Sequence, residues 1–132
     1  MRVGSINHVV LTVNDLGKSR AFYDRLLPSL GYRLLFEEKD SFGFVGADGM
    51  KIFFAEAHAE NRGLTFDRYK VGLHHFAFNA PDRAYVDSVH AKLVSWGVTI
   101  LDPPAEYPQY EAGYYAVFFL DPDGIKLEVV HV

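Results

Sequence analysis

The sequence predicts an α+β fold in which two tandem βαβββ modules form a cupped, mostly antiparallel sheet around a metal cavity. The two halves of the chain repeat one order of strand-like and helix-like segments, which predicts the paired modules. Single histidine or glutamate residues stand inside otherwise apolar strands of both halves, and they predict the cavity.

Composition limits the classes of protein to consider. The 132 residues, 49% of them hydrophobic and 15% aromatic, favour one folded domain, 1–132, with many rings in its core or cavity. A net charge of −4 without a Lys/Arg run makes a nucleic-acid partner unexpected. No stretch approaches the ~20 apolar residues of a membrane helix and no signal-peptide layout is present, so we expect no membrane partner and a cytoplasmic location. Without cysteine, a metal must be bound by His, Asp or Glu.

The first module, residues 1–57, is predicted to run strand, helix and three strands. Apolar residues at helical spacing predict the helix, with Asp15 as an N-cap candidate and Gly31 as the C-terminal stop. Pro28 is expected to distort its last turn. The segments are "INHVVLTV", "LGKSRAFYDRLLPSLG", "YRLLFEE", "SFGFVGA" and "MKIFFAEA".

The second module, residues 72–132, repeats this order after a polar linker at 58–71. Asp82 is its N-cap candidate and Gly97 its stop. The segments are "LHHFAFNA", "RAYVDSVHAKLVSWG", "VTILDPPAEY", "GYYAVFFL" and "IKLEVVHV".

Three of these strands each carry one strong metal-ligand residue. Because alternate strand residues share a face, His8 and His75 occupy equivalent positions, and Glu128 would arrive from a neighbouring strand. Two imidazoles and one carboxylate form a facial set that holds a divalent first-row metal and leaves positions open. A lone histidine in a strand is more often a hydrogen-bonded or surface residue than a metal ligand. The alternation of strand faces alone supports the metal-site interpretation and this ordinary one about equally.

The residues resemble those of the vicinal oxygen chelate superfamily, which holds glyoxalases, extradiol dioxygenases and bleomycin-resistance proteins. The resemblance covers the whole chain, and its markers are "INHVVLTVNDLGKSRAFY", "LGY", "GLHHFAF" and "YYAVFFLDPDGIKLEVV". It implies paired modules in a homodimer and a divalent ion, Fe(II), Mn(II), Zn(II) or Ni(II), held by His8, His75 and Glu128. It also implies that Glu128 takes part in catalysis on a small-molecule substrate.

Two positions depart from well-studied members of that superfamily. Phe53 stands where glyoxalase I has a fourth ligand. Glu56 would lie on the opposite face of the same strand, so it cannot replace that ligand. Phe118 stands where dioxygenases and fosfomycin-resistance enzymes have a tyrosine. Tyr114 shares the face of Phe118 but lies roughly 13 Å farther along an extended strand. Phe53, Tyr114 and Phe118 are expected to line a substrate pocket, although ordinary core packing would also explain the two phenylalanines.

Two functions follow from these observations. The first is a metal-dependent enzyme with lyase/isomerase or dioxygenase chemistry on a substrate chelated through adjacent oxygens. The second is a non-enzymatic, bleomycin-resistance-type protein that sequesters an aromatic small molecule. The tyrosine- and proline-rich segment at 101–115 is predicted to be a loop, either a cavity wall or a stiffened surface connection.

Overall fold

A computed structural model describes residues 2–132, which divide into two compact units. The first unit ends at Leu64 and the second runs from Thr65 to Val132. No helix within residues 2–132 has the length and apolar character that a membrane crossing requires.

The first unit is a four-stranded mixed sheet with one helix. Its elements are β1 (His8–Val13), α1 (Leu16–Ser29), β2 (Arg33–Glu37), β3 (Ser41–Val45), β4 (Lys51–Glu56) and a short 3₁₀ helix (Ala59–Asn61). The strand order is β1-β4-β3-β2. The β1–β4 pair is parallel and the other two pairs are antiparallel.

The second unit has the same architecture. Its elements are β5 (Phe76–Asn79), α2 (Arg83–Ser95), β6 (Ile100–Glu106), β7 (Tyr115–Leu120) and β8 (Lys126–His131), with strand order β5-β8-β7-β6. The α+β fold with tandem βαβββ modules is therefore confirmed.

Both helices begin and end where the sequence predicts. The side chain of Asp15 accepts a hydrogen bond from the Lys18 amide, and that of Asp82 accepts one from the Tyr85 amide, so each satisfies a free N–H of the first turn. Gly31 and Gly97 follow the two helices with φ of +84° and +72°, a backbone conformation that glycine adopts without steric cost.

The strand registers show that the two units are structural repeats. In the first unit His8 pairs with Lys51, and Phe53 lies two residues farther along β4. In the second unit Ala77 pairs with Glu128, which places His75 at the level of Lys126. His75 is thus equivalent to His8, and Glu128 is equivalent to Phe53.

Each strand is shorter than the segment that predicted it. The first loses residues at its start and the fifth at both ends, so His75 lies one residue before β5 begins. The predicted loop at 101–115 is partly wrong, because its first residues belong to β6. Pro103 and Pro104 fit there because β6 is an edge strand with register shifts, so the missing amide hydrogens interrupt no regular ladder.

The sheet of the second unit has two different faces. Tyr115, on β7, donates its hydroxyl to Asp87 of α2, so Tyr115, Val117 and Phe119 lie on the face that the helix covers. Phe118 and Glu128 pair on the opposite face. That face is also buried, because Leu101, Tyr107 and Tyr114 pack against its residues Ala116, Phe118 and Val130.

Candidate metal centre

Glu128 is a buried carboxylate in the second unit. It lies in the middle of β8, and its exposed fraction is 1%. A charged group so far from water requires hydrogen-bonding or ionic partners, since desolvation opposes the charge. Two such partners are present, one at each carboxylate oxygen.

The first partner is His75, whose Nε2 lies 3.2 Å from Oε2 of Glu128. Its side chain is 33% exposed, so the imidazole can be reached from solvent. The Nδ1 atoms of His75 and His74 lie 2.7 Å apart, which requires one ring to donate and the other to accept. When Nε2 of His75 donates to Glu128, its Nδ1 accepts from His74. In the other tautomer His75 donates from Nδ1, and its Nε2 lone pair is free to bind a metal in place of the contact with the carboxylate.

The second partner is Tyr114, whose hydroxyl donates to Oε1 of Glu128. Burial, followed by the hydrogen bond to Glu128, raises the pKa of Tyr114 well above its ordinary value. The phenol is therefore protonated at neutral pH and acts as the donor. The distance counted along the strand, which left Tyr114 remote from Glu128, is a poor guide because the long phenol leans back toward the carboxylate.

Phe118 packs beside His75 and Glu128. It is 5% exposed, it pairs with Glu128, and its ring centroid lies 6.2 Å from that of His75. The Lys126 ammonium lies 4.5 Å from the same ring centroid, within the range of a cation–π contact. One phenyl ring thus contacts both an imidazole and an ammonium group.

The equivalent place in the first unit is filled by aromatic rings. His8 is exposed and stacks on Phe53, with ring centroids 5.1 Å apart, and its Nδ1 lies 2.8 Å from Oδ1 of Asn7. Phe36 meets Phe53 edge to face at 5.2 Å. Glu56 instead pairs with Arg62 at 3.2 Å, so it supplies no carboxylate beside His8.

The structure brings two of the three predicted ligands together, His75 and Glu128, and His8 belongs to the first unit. Within residues 2–132, no three His, Asp or Glu side chains form a group that could hold a metal ion. The His75–Glu128 pair nevertheless fits part of such a site. Two donor atoms that each lie ~2.1 Å from one ion, at about a right angle to each other, are about 3 Å apart. Nε2 of His75 and Oε2 of Glu128 have about this separation, 3.2 Å.

Sequence reasoning missed the hydrogen bond between Tyr114 and Glu128, and it missed the ring contacts that the neighbouring tyrosines make with Tyr114. Tyr107 and Tyr110 stack at 5.4 Å, and both meet the Tyr114 ring edge to face. The sequence signal for these contacts was the high density of tyrosines just before β7. The alternation of strand faces does not reveal how a turn folds back over the sheet.

Comparison with known proteins assigns the chain to a family. The profile of the Glyoxalase/Bleomycin resistance protein/Dioxygenase superfamily matches residues 5–129. The chain belongs to this superfamily, and the resemblance found in the sequence is confirmed.

Individual relatives cover nearly the whole chain. The uncharacterized protein YqjT of Bacillus subtilis is 34% identical over 126 residues, which cover 95% of this chain and 97% of that protein. The metallothiol transferase FosB of Lysinibacillus sphaericus is 30% identical over 128 residues, covering 97% and 82% of the two chains. The crystal structure of a candidate glyoxalase from Bacillus halodurans has a TM-score of 0.86 and 32% identity, with 98% and 97% covered.

Proposed function

We propose that this protein is a divalent-metal-dependent enzyme that activates a small substrate through the substrate's oxygen atoms. The observation that carries the proposal is the buried Glu128 carboxylate with His75 at 3.2 Å, at two of the positions where the family resemblance implies metal ligands. Its similarity to a metallothiol transferase supports the same conclusion.

His75 and Glu128 would hold the ion, and His8, from this chain or from a second copy, is the third ligand that the sequence predicts. Nitrogen and oxygen donors of this kind suit Fe(II), Mn(II), Zn(II) and Ni(II). A bound ion would supply Lewis-acid activation of a substrate oxygen. Tyr114 keeps one oxygen of Glu128 occupied, and Phe118 gives the substrate an apolar surface to pack against.

The proposal includes a homodimer. Ile6 and Val10, on either side of His8 along the chain, are 67% and 54% exposed, and a second copy of the chain would remove this apolar surface from water. A second copy would also offer a further set of ligands. Light scattering coupled to gel filtration tests it, and a monomer at micromolar concentration contradicts it.

Metal binding is the first test. Purified protein is stripped of metal and titrated with Mn(II), Zn(II), Ni(II) and Fe(II), the last without oxygen. His75→Ala, Glu128→Ala and His8→Ala should each weaken binding strongly. His58→Ala is the matched control, because that imidazole side chain is 84% exposed. The proposal fails if the unaltered protein binds none of these ions or if the three variants bind as it does.

Substrate assays then separate three reaction classes: lyase or isomerase chemistry, dioxygen-dependent ring cleavage, and thiol transfer. Phe118 has no hydroxyl where dioxygenases and fosfomycin-resistance enzymes have a tyrosine, which favours lyase or isomerase chemistry. Aromatic compounds with adjacent oxygens and 2-oxoaldehyde–thiol adducts are suitable first probes.

The second candidate function is sequestration of an aromatic molecule. It is favoured by the rings of Tyr107, Tyr110, Tyr114 and Phe118, which lie within 5.4–6.3 Å of one another in successive contacts. A metal-free protein that binds aromatic ligands with micromolar affinity and turns none of them over would support this function instead.

A further inference from the structure

Tyr114 has a contact that a pocket-lining residue does not need. We propose that Tyr114 is a positioning residue that fixes Glu128 as a one-oxygen metal ligand, by holding Oε1 so that Oε2 faces His75. This inference rests on the proposed function, because it concerns how the ligand pair is prepared for the ion.

The two oxygens of Glu128 have different neighbours. Oε1 accepts the Tyr114 hydroxyl, whereas Oε2 lies 3.2 Å from Nε2 of His75. A carboxylate can bind a metal through one oxygen or through both. With Oε1 engaged by a phenol, Oε2 would be the oxygen that ligates an ion beside the imidazole. A one-oxygen ligand would leave for substrate the position that a second carboxylate oxygen would take.

The phenol is itself held by the turn that precedes β7. The Tyr114 amide donates to the Glu111 carbonyl at 3.1 Å, and the Tyr107 amide donates to the Tyr114 carbonyl at 2.9 Å. The Tyr114 ring also meets those of Tyr107 and Tyr110 edge to face, with centroids 6.3 and 5.4 Å away. These contacts orient the hydroxyl before any ion binds, which is the condition for a ligand that needs no rearrangement.

A neighbouring tyrosine offers a matched control. Tyr115 also donates its hydroxyl to a carboxylate, Asp87, but on the sheet face that α2 covers. Tyr114→Phe and Tyr115→Phe therefore remove the same atom and the same kind of hydrogen bond. Only the first removes it from Glu128.

The experiment is a Co(II) titration of the metal-free full-length protein, followed by absorption in the visible range. Tyr114→Phe should weaken Co(II) binding about tenfold or more, as expected when an outer partner of a metal ligand is lost. It should also change the intensity or position of the Co(II) bands at saturation, because the freed carboxylate can turn or offer both oxygens. Tyr115→Phe should leave both unchanged.

The band change separates positioning from a general effect on folding, since lost stability alone does not alter the spectrum of the saturated folded protein. If Tyr114→Phe binds Co(II) with the unaltered affinity and spectrum, the inference is overturned while the proposed function stands. An unaltered protein that binds no Co(II), or a His75→Ala variant that binds it normally, overturns the proposed function itself.

Discussion

Nε2 of His75 lies 3.2 Å from Oε2 of Glu128, although the two residues are far apart along the chain. The parallel pairing of β5 with β8 produces this proximity, because Ala77 pairs with Glu128 and His75 lies two residues earlier on the same face. The carboxylate is buried, so its charge depends on these close partners.

Glu128→Gln keeps the shape of the side chain and removes its charge. We expect Mn(II) or Zn(II) affinity to fall by more than the about 10- to 100-fold that loss of an outer partner costs. The metal-free variant should be at least as stable as the unaltered protein, because a buried charge is lost. Calorimetric titration and urea unfolding measure the two effects.

Glu106→Gln is the control for that variant, because Glu106 is an exposed partner of Arg83. Equal metal affinities for the two variants would contradict the assignment of Glu128 as a ligand.

Gly43→Ala is expected to destabilise the first unit. A Cβ at this position would lie 2.5 Å from Cε1 of Phe36 and 2.6 Å from Cδ1 of Phe53, closer than atoms can pack. The rings must shift, so we expect a loss of about 1–3 kcal/mol in the free energy of unfolding.

Urea unfolding measures the Gly43→Ala effect, and Phe36→Leu combined with Gly43→Ala provides the control. The smaller side chain should make room for the new methyl group, so the double variant should lose less stability than the sum of the single variants. Strict additivity would show that the ring contact is not the cause.

Asp82→Ala should lower the free energy of unfolding by about 1 kcal/mol, because the Tyr85 amide loses its N-cap acceptor. Asp82→Asn retains a capping oxygen and should lose much less. Chemical denaturation monitored by circular dichroism measures both. Equal losses in the two variants would assign the effect to charge rather than to the cap.

The hydrogen bond from Tyr115 to Asp87 should stabilise the folded protein at neutral pH and stop doing so at alkaline pH, where the phenol loses its proton. That bond is the main cause that raises the pKa of Tyr115 in the folded state. The folded protein therefore retains the phenol proton more strongly than the unfolded chain. The stabilisation is full below the ordinary tyrosine pKa of about 10, and it is lost as pH rises through the folded-state pKa.

Tyr115→Phe reports on this bond directly. At pH 8 the variant should be less stable than the unaltered protein by at most about 1 kcal/mol. The difference should shrink above pH 10 in parallel urea titrations. A difference that grows with pH would mean that the phenol is not the donor.

Local sequence signals predicted the elements well because each signal acts over a few residues. Asp15 and Asp82 start the helices and Gly31 and Gly97 end them, since the amides and the backbone angles that they serve are their near neighbours. The family resemblance, rather than a local signal, placed Phe118 at the cavity with Glu128, and the two residues pair in the structure.

Contacts made by long side chains across strands were not predictable in this way. The reach of Tyr114 depends on how the turn before β7 folds back, and on rings that are distant in strand register. The two consecutive prolines were assigned both to the strand segment "VTILDPPAEY" and to a loop at 101–115, because only the tertiary pairing reveals an edge strand with an irregular register.

The sequence by itself determined the paired modules and the order of their elements, because periodicity and capping depend on neighbouring residues. The ligand set His8, His75 and Glu128 stays a prediction from the sequence. The tertiary structure alone decided that Glu128 is buried between His75 and Tyr114, with one oxygen toward each. The physical reason is that burial and hydrogen-bond partners arise from strand register and folded turns, which bring together residues that share no local pattern.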